Sequence, residues 1–154
     1  MSRGTSTLLL CCTLLLCCPA IARASSPAES PLDAVALAQM EQRAETAGPR
    51  DQCYMFAEVL HGLTELAGRQ IAAGDEQEAS TTLQRIDDVA AKVQKASASN
   101  AKRLKNAELL LEHTNRRLSD MAHVASAAER SALQSTLRHL DNVHTAILAM
   151  VFSR

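Results

Sequence analysis

Tryptophan is absent from this chain, tyrosine occurs once and phenylalanine twice in 154 residues. A core so short of aromatics has to be filled by Leu, Ala, Val, Ile and Met. That composition suits helices and argues against a β-sandwich, where β-branched and aromatic residues dominate. The same shortage removes the stacking platforms that nucleic-acid recognition relies on, so nucleic acid is not an expected partner. An excess of one charge sign is missing too: the formal net charge of -1 gives no global pull toward polyanions or membranes. The chain has no nucleophile elbow, no phosphate-cradling glycine loop, no His-Glu-x-x-His pair and no haem-attachment motif. It therefore reads as a non-enzyme, with no cofactor expected.

Cysteine is scarcer than it looks. Four of the five, Cys11, Cys12, Cys17 and Cys18, fall within the first 24 residues. That stretch has a positive residue, Arg3, then an apolar run from Leu8 to Cys18 broken only by Thr13, then Pro19. Ala22-Arg23-Ala24 places small residues where a signal peptidase needs them. The run is shorter than the roughly 20 residues that span a bilayer. A lipoprotein site is a poor fit, because Leu16 precedes Cys17 and Cys17 precedes Cys18. Residues 1–24 thus read as a signal peptide cleaved after Ala24, and the protein as periplasmic or secreted. What remains carries Cys53 alone, so no internal disulfide can support the fold.

Residues 25–31, SSPAESP, read as a disordered leader. A short helix is expected over 32–48, with Leu32, Val35, Ala36, Met40 and Ala44 near one face and Gly48-Pro49 as its stop. Residues 49–154 then carry four apolar stripes at spacings of three and four. The first holds Phe56, Val59, Leu60, Leu63, Leu66, Ala67 and Ile71 and stops at Gly74; the second holds Ala79, Leu83, Ile86, Ala90 and Val93. The third holds Leu104, Ala107, Leu111, Thr114, Leu118, Met121 and Ala125; the fourth holds Leu133, Leu137, Leu140, Val143, Ile147 and Met150. Similar lengths and short connections predict an all-α fold, an antiparallel up-down four-helix bundle preceded by the short helix, with a short α-solenoid of helical hairpins as the alternative.

Leu66, Ala67, Gly74, Asp75, Ala79 and Leu83 resemble one unit of a tetratricopeptide repeat over residues 66–86, including its Gly-Asp turn. The flanking helices are longer than the repeat allows and no second copy follows. Through Asp51-Gln52-Cys53 and the stretch Lys102 to Glu108, residues 49–154 also resemble an uncharacterised family of exported bacterial all-helical proteins. That resemblance implies a helical fold and carries no activity.

Glu58-Val-Leu-His61 has the Glu-x-x-His spacing of di-iron carboxylate bundles, and Asp141-Asn-Val-His144 is a variant of it. A metal site would need both motifs and further carboxylates facing inward. If Phe56, Val59 and Leu63 face the core, Glu58 and His61 point outward, and His144 lies beside its stripe while Asp141 does not. No metal is therefore expected, and a metal- or cofactor-binding bundle stands as the alternative function. Cys53 is open to three readings: a packed free thiol, an intermolecular disulfide, or a reactive thiol at a helix N-terminus.

The sharpest charge feature is a cluster. All four lysines, Lys92, Lys95, Lys102 and Lys105, lie within fourteen residues together with Arg103, and no acid occurs between Asp88 and Glu108. On the bundle topology they gather at one pole, near Arg50 and Arg154. Lys92 and Lys95 suit a helix C-terminus; Lys102, Arg103 and Lys105 sit at a helix N-terminus, where the dipole disfavours them. Local helix stability does not explain that placement. It predicts an anion- or partner-binding surface on a non-enzymatic interaction module. An anionic envelope component or another protein is the expected partner, and a homodimer stays open.

Overall fold

A computed structural model describes residues 33–99 and 101–153. The signal-peptide and leader assignments, Leu32 and Arg154 lie outside the described residues. Five α-helices and no strand occur among those described: α1 (Ala34–Thr46), α2 (Pro49–Ala73), α3 (Glu76–Ser97), α4 (Leu104–Val124) and α5 (Ala127–Phe152). All belong to one unit, Pro31–Arg154.

Each boundary has a local chemical cause. Asp33 caps α1 by accepting from the Ala36 N–H at 2.7 Å. Pro49 at the first position of α2 supplies a fixed helical φ and lacks only an N–H that would be unpaired there. Gly74 ends α2 in the left-handed region, at φ 80°; its N–H reaches the Ile71 carbonyl and that of Asp75 reaches Gln70, the paired bonds of a Schellman turn. Ser126 and Glu129 close a reciprocal capping box at the start of α5.

The four apolar stripes form one core. Val59, Leu60, Leu63, Ile86, Val93, Leu111, Leu118, Leu133, Leu140 and Ile147 are all buried within it. Fully burying each such side chain contributes about 1.5–3 kcal/mol toward offsetting chain entropy. Helix α2 packs against α3 and α4, and α5 against α3 and α4, which closes a square around a shared centre. This is the four-helix bundle rather than a row of stacked hairpins.

Helices consecutive in sequence run antiparallel, as short links require. Yet α3 and α4 occupy opposite corners, so the side-by-side pairs α2/α4 and α3/α5 run parallel. The register of α2 on α4 shows this: Thr114 lies against His61 and Arg117 pairs with Glu65. Farther along, a Cβ on Gly68 would come within 3.0 Å of Met121 Sδ.

On α1 the buried face differs from the expected one. Leu37 and Ala44 are fully buried and Met40 packs beside them, whereas Val35 is 65% exposed. The helix turns its larger aliphatic residue, Leu37, inward, and that rotation also directs Glu41 toward α3. There Glu41 pairs with Arg85 at 3.1 Å and Lys92 at 2.8 Å, and Glu45 with Lys92 at 2.5 Å. Gln52 Nε2 donates to the carbonyls of Ala44 and Glu45, fixing the turn into α2. Helix α1 is thus clasped to the α2/α3 hairpin by apolar burial and by charge.

Candidate functional site

One end of the bundle carries the start of α2, the end of α3, the 98–103 link, the start of α4 and the end of α5. The Lys102 N–H donates to the Arg50 carbonyl at 2.7 Å, which ties the link to α2 and fixes the pole. Arg50, Lys95, Lys102, Arg103 and Lys105 are all exposed on it. Among the described residues, Lys95, Lys102 and Lys105 enter no ion pair. Asp51 and Glu45 are exposed acids of this end. The aromatic ring of Phe152 also emerges here, 82% exposed.

Two of the basic residues have structural work. Lys92 is committed to Glu41 and Glu45, and its hydrogen bonds to those carboxylates raise its pKa against the opposing effect of burial. It also stands 5.7 Å from the Phe56 ring centroid. Lys92 therefore belongs to the α1 clasp and is not offered to a partner.

Arg103 precedes α4 in the left-handed region, at φ 59°, a conformation that costs a non-glycine residue about 1–2 kcal/mol. Its guanidinium lies 3.4 Å from the Tyr54 ring centroid. A hydrogen bond to Glu58 raises the Tyr54 pKa, with Arg103 opposing. Stacking on tyrosine supplies a reason for a cation at this helix N-terminus that the helix dipole does not. Among the described residues, Lys102 and Lys105 stack on no such ring.

The metal-ligand candidates are not brought together. Glu58 lies by Tyr54 and lines a cleft with Met40, Arg43 and Met55 of the α1 side. His61 faces α4, with Nδ1 3.5 Å from Thr114 Oγ1. Asp141 is exposed, while His144 turns to α4, its Nε2 3.1 Å from Glu108 Oε1. Helices α2 and α5, which carry the two motifs, stand at opposite corners. Among the described residues, no three His, Cys, Asp or Glu side chains converge in metal-binding geometry.

Cys53 is fully buried as a free thiol, its Sγ 3.9 Å from the Val93 carbonyl. Burial pushes its pKa up to about 11. The expected influence of the α2 N-terminus on the thiol is overridden by loss of solvent. Of the three readings, the packed thiol is the one this geometry fits.

Sequence reasoning missed the cross-links of α5. Asp87 of α3 accepts from Thr136 Oγ1 at 3.1 Å, and its other oxygen lies 3.2 Å from His139 Nδ1. With His144–Glu108, these fasten α5 to both neighbours. Only the side-by-side arrangement of α3 and α5 reveals them; the four-residue spacings along each helix carry no such signal.

Comparison with known proteins finds no matching family model, no matching curated protein and no matching solved structure.

Proposed function

We propose that this is an exported helical-bundle protein that acts by binding rather than by catalysis, with the basic pole as its contact surface for an anionic partner. One observation carries the reading. Exposed cations from α2, α3, the 98–103 link and α4 converge on one end, and Lys95, Lys102 and Lys105 are spent on no internal ion pair among the described residues. Such a surface attracts anions over about 8–10 Å at physiological salt, the screening length there. Export follows from the reading of residues 1–24 and makes an anionic envelope component or an acidic protein surface the partner class. No helix among the described residues is long and apolar enough to cross a membrane.

The test uses an immobilised sulfated polysaccharide as the anionic probe. Changing Lys102, Arg103 and Lys105 together to Glu should abolish retention at near-physiological salt while helicity, by circular dichroism, is kept. A charge-matched control, Arg69→Glu with Arg116→Glu and Arg138→Glu, should elute close to the parent. Equal loss in both variants would show that net charge, not the pole, governs binding.

A further inference from the structure

The other end of the bundle is the chemical complement of the basic pole. Asp75, Glu76 and Glu78 are exposed there at the start of α3. Between α2, α3 and α5 this end opens a groove floored by Ile71, Ala79 and Leu83, walled by Gln77, Ser80, Ala128 and Ala132 and edged by Glu76 and Glu129. Its volume is about 250 Å³, and a cavity of about 150 Å³ is enough to hold a benzene ring. Arg130, the cation beside Glu129, is turned away onto the carbonyls of Ala122 and Ala125.

The opposite pole presents what such a groove would take. Phe152 projects from the end of α5, 82% exposed among the described residues. Lys102, Arg103 and Lys105 at the start of α4 are on the same end, because α4 and α5 run antiparallel. An exposed aromatic on the same end as cations matches a groove with an apolar floor and acidic edge in both respects.

We propose that the occupant of the acid-edged groove is the basic pole of a second copy of this chain, with Phe152 as the apolar anchor. The inference rests on the reading of the basic pole as a contact surface. It adds an identified partner for that surface. The two faces differ and lie at opposite ends of helices that are about 30–40 Å long. The contact is therefore heterologous, and each added copy leaves one free face of each kind. Such contacts propagate from copy to copy, into open chains or into rings where the rotation closes, rather than pairing as a two-fold dimer.

Sedimentation velocity on the purified protein, with reductant present to exclude disulfides through Cys53, tests this. At low ionic strength the weight-average mass should rise with protein concentration and fall back to monomer as salt is added. A variant with Lys102, Arg103 and Lys105 changed to Glu carries two acidic ends; an Asp75→Lys, Glu76→Lys, Glu78→Lys variant carries two basic ends. Each should stay monomeric alone, and an equimolar mixture should associate, an outcome that misfolded variants would not give. Phe152→Ala should weaken association by about tenfold or more, the expected loss for one buried aromatic. A parent protein that remains monomeric at every concentration while still binding the sulfated polysaccharide would overturn the self-association and leave the basic-pole reading standing. Association that persists in both charge-reversed variants would overturn the assigned faces.

Discussion

Changing Glu41 to Gln probes the clasp on α1 with a magnitude set by the geometry. The carboxylate accepts from Arg85 Nη2 at 3.1 Å and from Lys92 Nζ at 2.8 Å. Burial raises its pKa, but the hydrogen bonds from Lys92 and Arg85, with their charges, outweigh burial and hold it below the usual carboxylate range. A carboxyl with a depressed folded pKa contributes stability that is full above its unfolded pKa, about 4.3 for Glu, and lost as pH falls through the folded value.

Solvent limits the size of this contribution, since the Arg85 and Lys92 side chains are 32% and 36% exposed. At about 0.2–1 kcal/mol for each such pair, Glu41→Gln should loosen α1 by about 1 kcal/mol at pH 7. Glu45→Gln removes one more exposed pair and should cost less. Leu37→Ala, at a fully buried position, should cost about 2–5 kcal/mol and detach the helix outright. Amide hydrogen exchange of α1, expressed as protection factors, reads this local opening directly. The parent should lose α1 protection as pH falls below about 4.3 and through the lower folded value, whereas Glu41→Gln should start lower and change less. Equal protection of parent and Glu41→Gln at pH 7, or parallel losses on acidification, would refute the clasp.

Two further outcomes follow from strained or buried groups. Cys53 has its folded pKa raised to about 11 by burial, so stability present below the unfolded thiol pKa of about 8.5 is lost as pH rises toward the folded value; urea melts from pH 8 to 10.5 should show that loss, and Cys53→Ala should flatten it. Arg103→Gly and Arg103→Ala both lose the Tyr54 stack, but only glycine relieves the left-handed backbone, so the glycine variant should be the more stable by about 1 kcal/mol; equal stability would remove the strain argument.

Much of the fold was legible because helical periodicity is a local property. The α3 stripe of Ala79, Leu83, Ile86, Ala90 and Val93 is buried throughout, as is the α4 stripe from Leu104 to Ala125. The stop at Gly74 and the Pro49 start depend on backbone chemistry within a few residues. Helix α1 was less legible, since Val35, Ala36 and Leu37 are adjacent apolar residues and thirteen residues set the phase weakly. The capping box of Ser126 and Glu129 sets the start of α5 through a four-residue pattern, again a local cause.

The basic cluster was visible as a run of residues, yet sequence could not divide it. Lys92 and Lys102 look alike along the chain; one faces Glu41 and Glu45 on another helix and the other faces solvent. The same holds for His61 and His144, whose partners Thr114 and Glu108 come from a different helix.

The sequence by itself determined an aliphatic all-α core, its helix boundaries and the clustering of every lysine in one stretch, because side-chain size, capping chemistry and 3.6-residue spacing act over a few residues. Only the tertiary structure decided which corner each helix takes. Placing α3 and α4 across the diagonal makes α2/α4 and α3/α5 parallel neighbours and separates the Glu58/His61 and Asp141/His144 pairs. Short links fix the direction of a helix, but the choice among corners rests on packing between residues far apart in the chain.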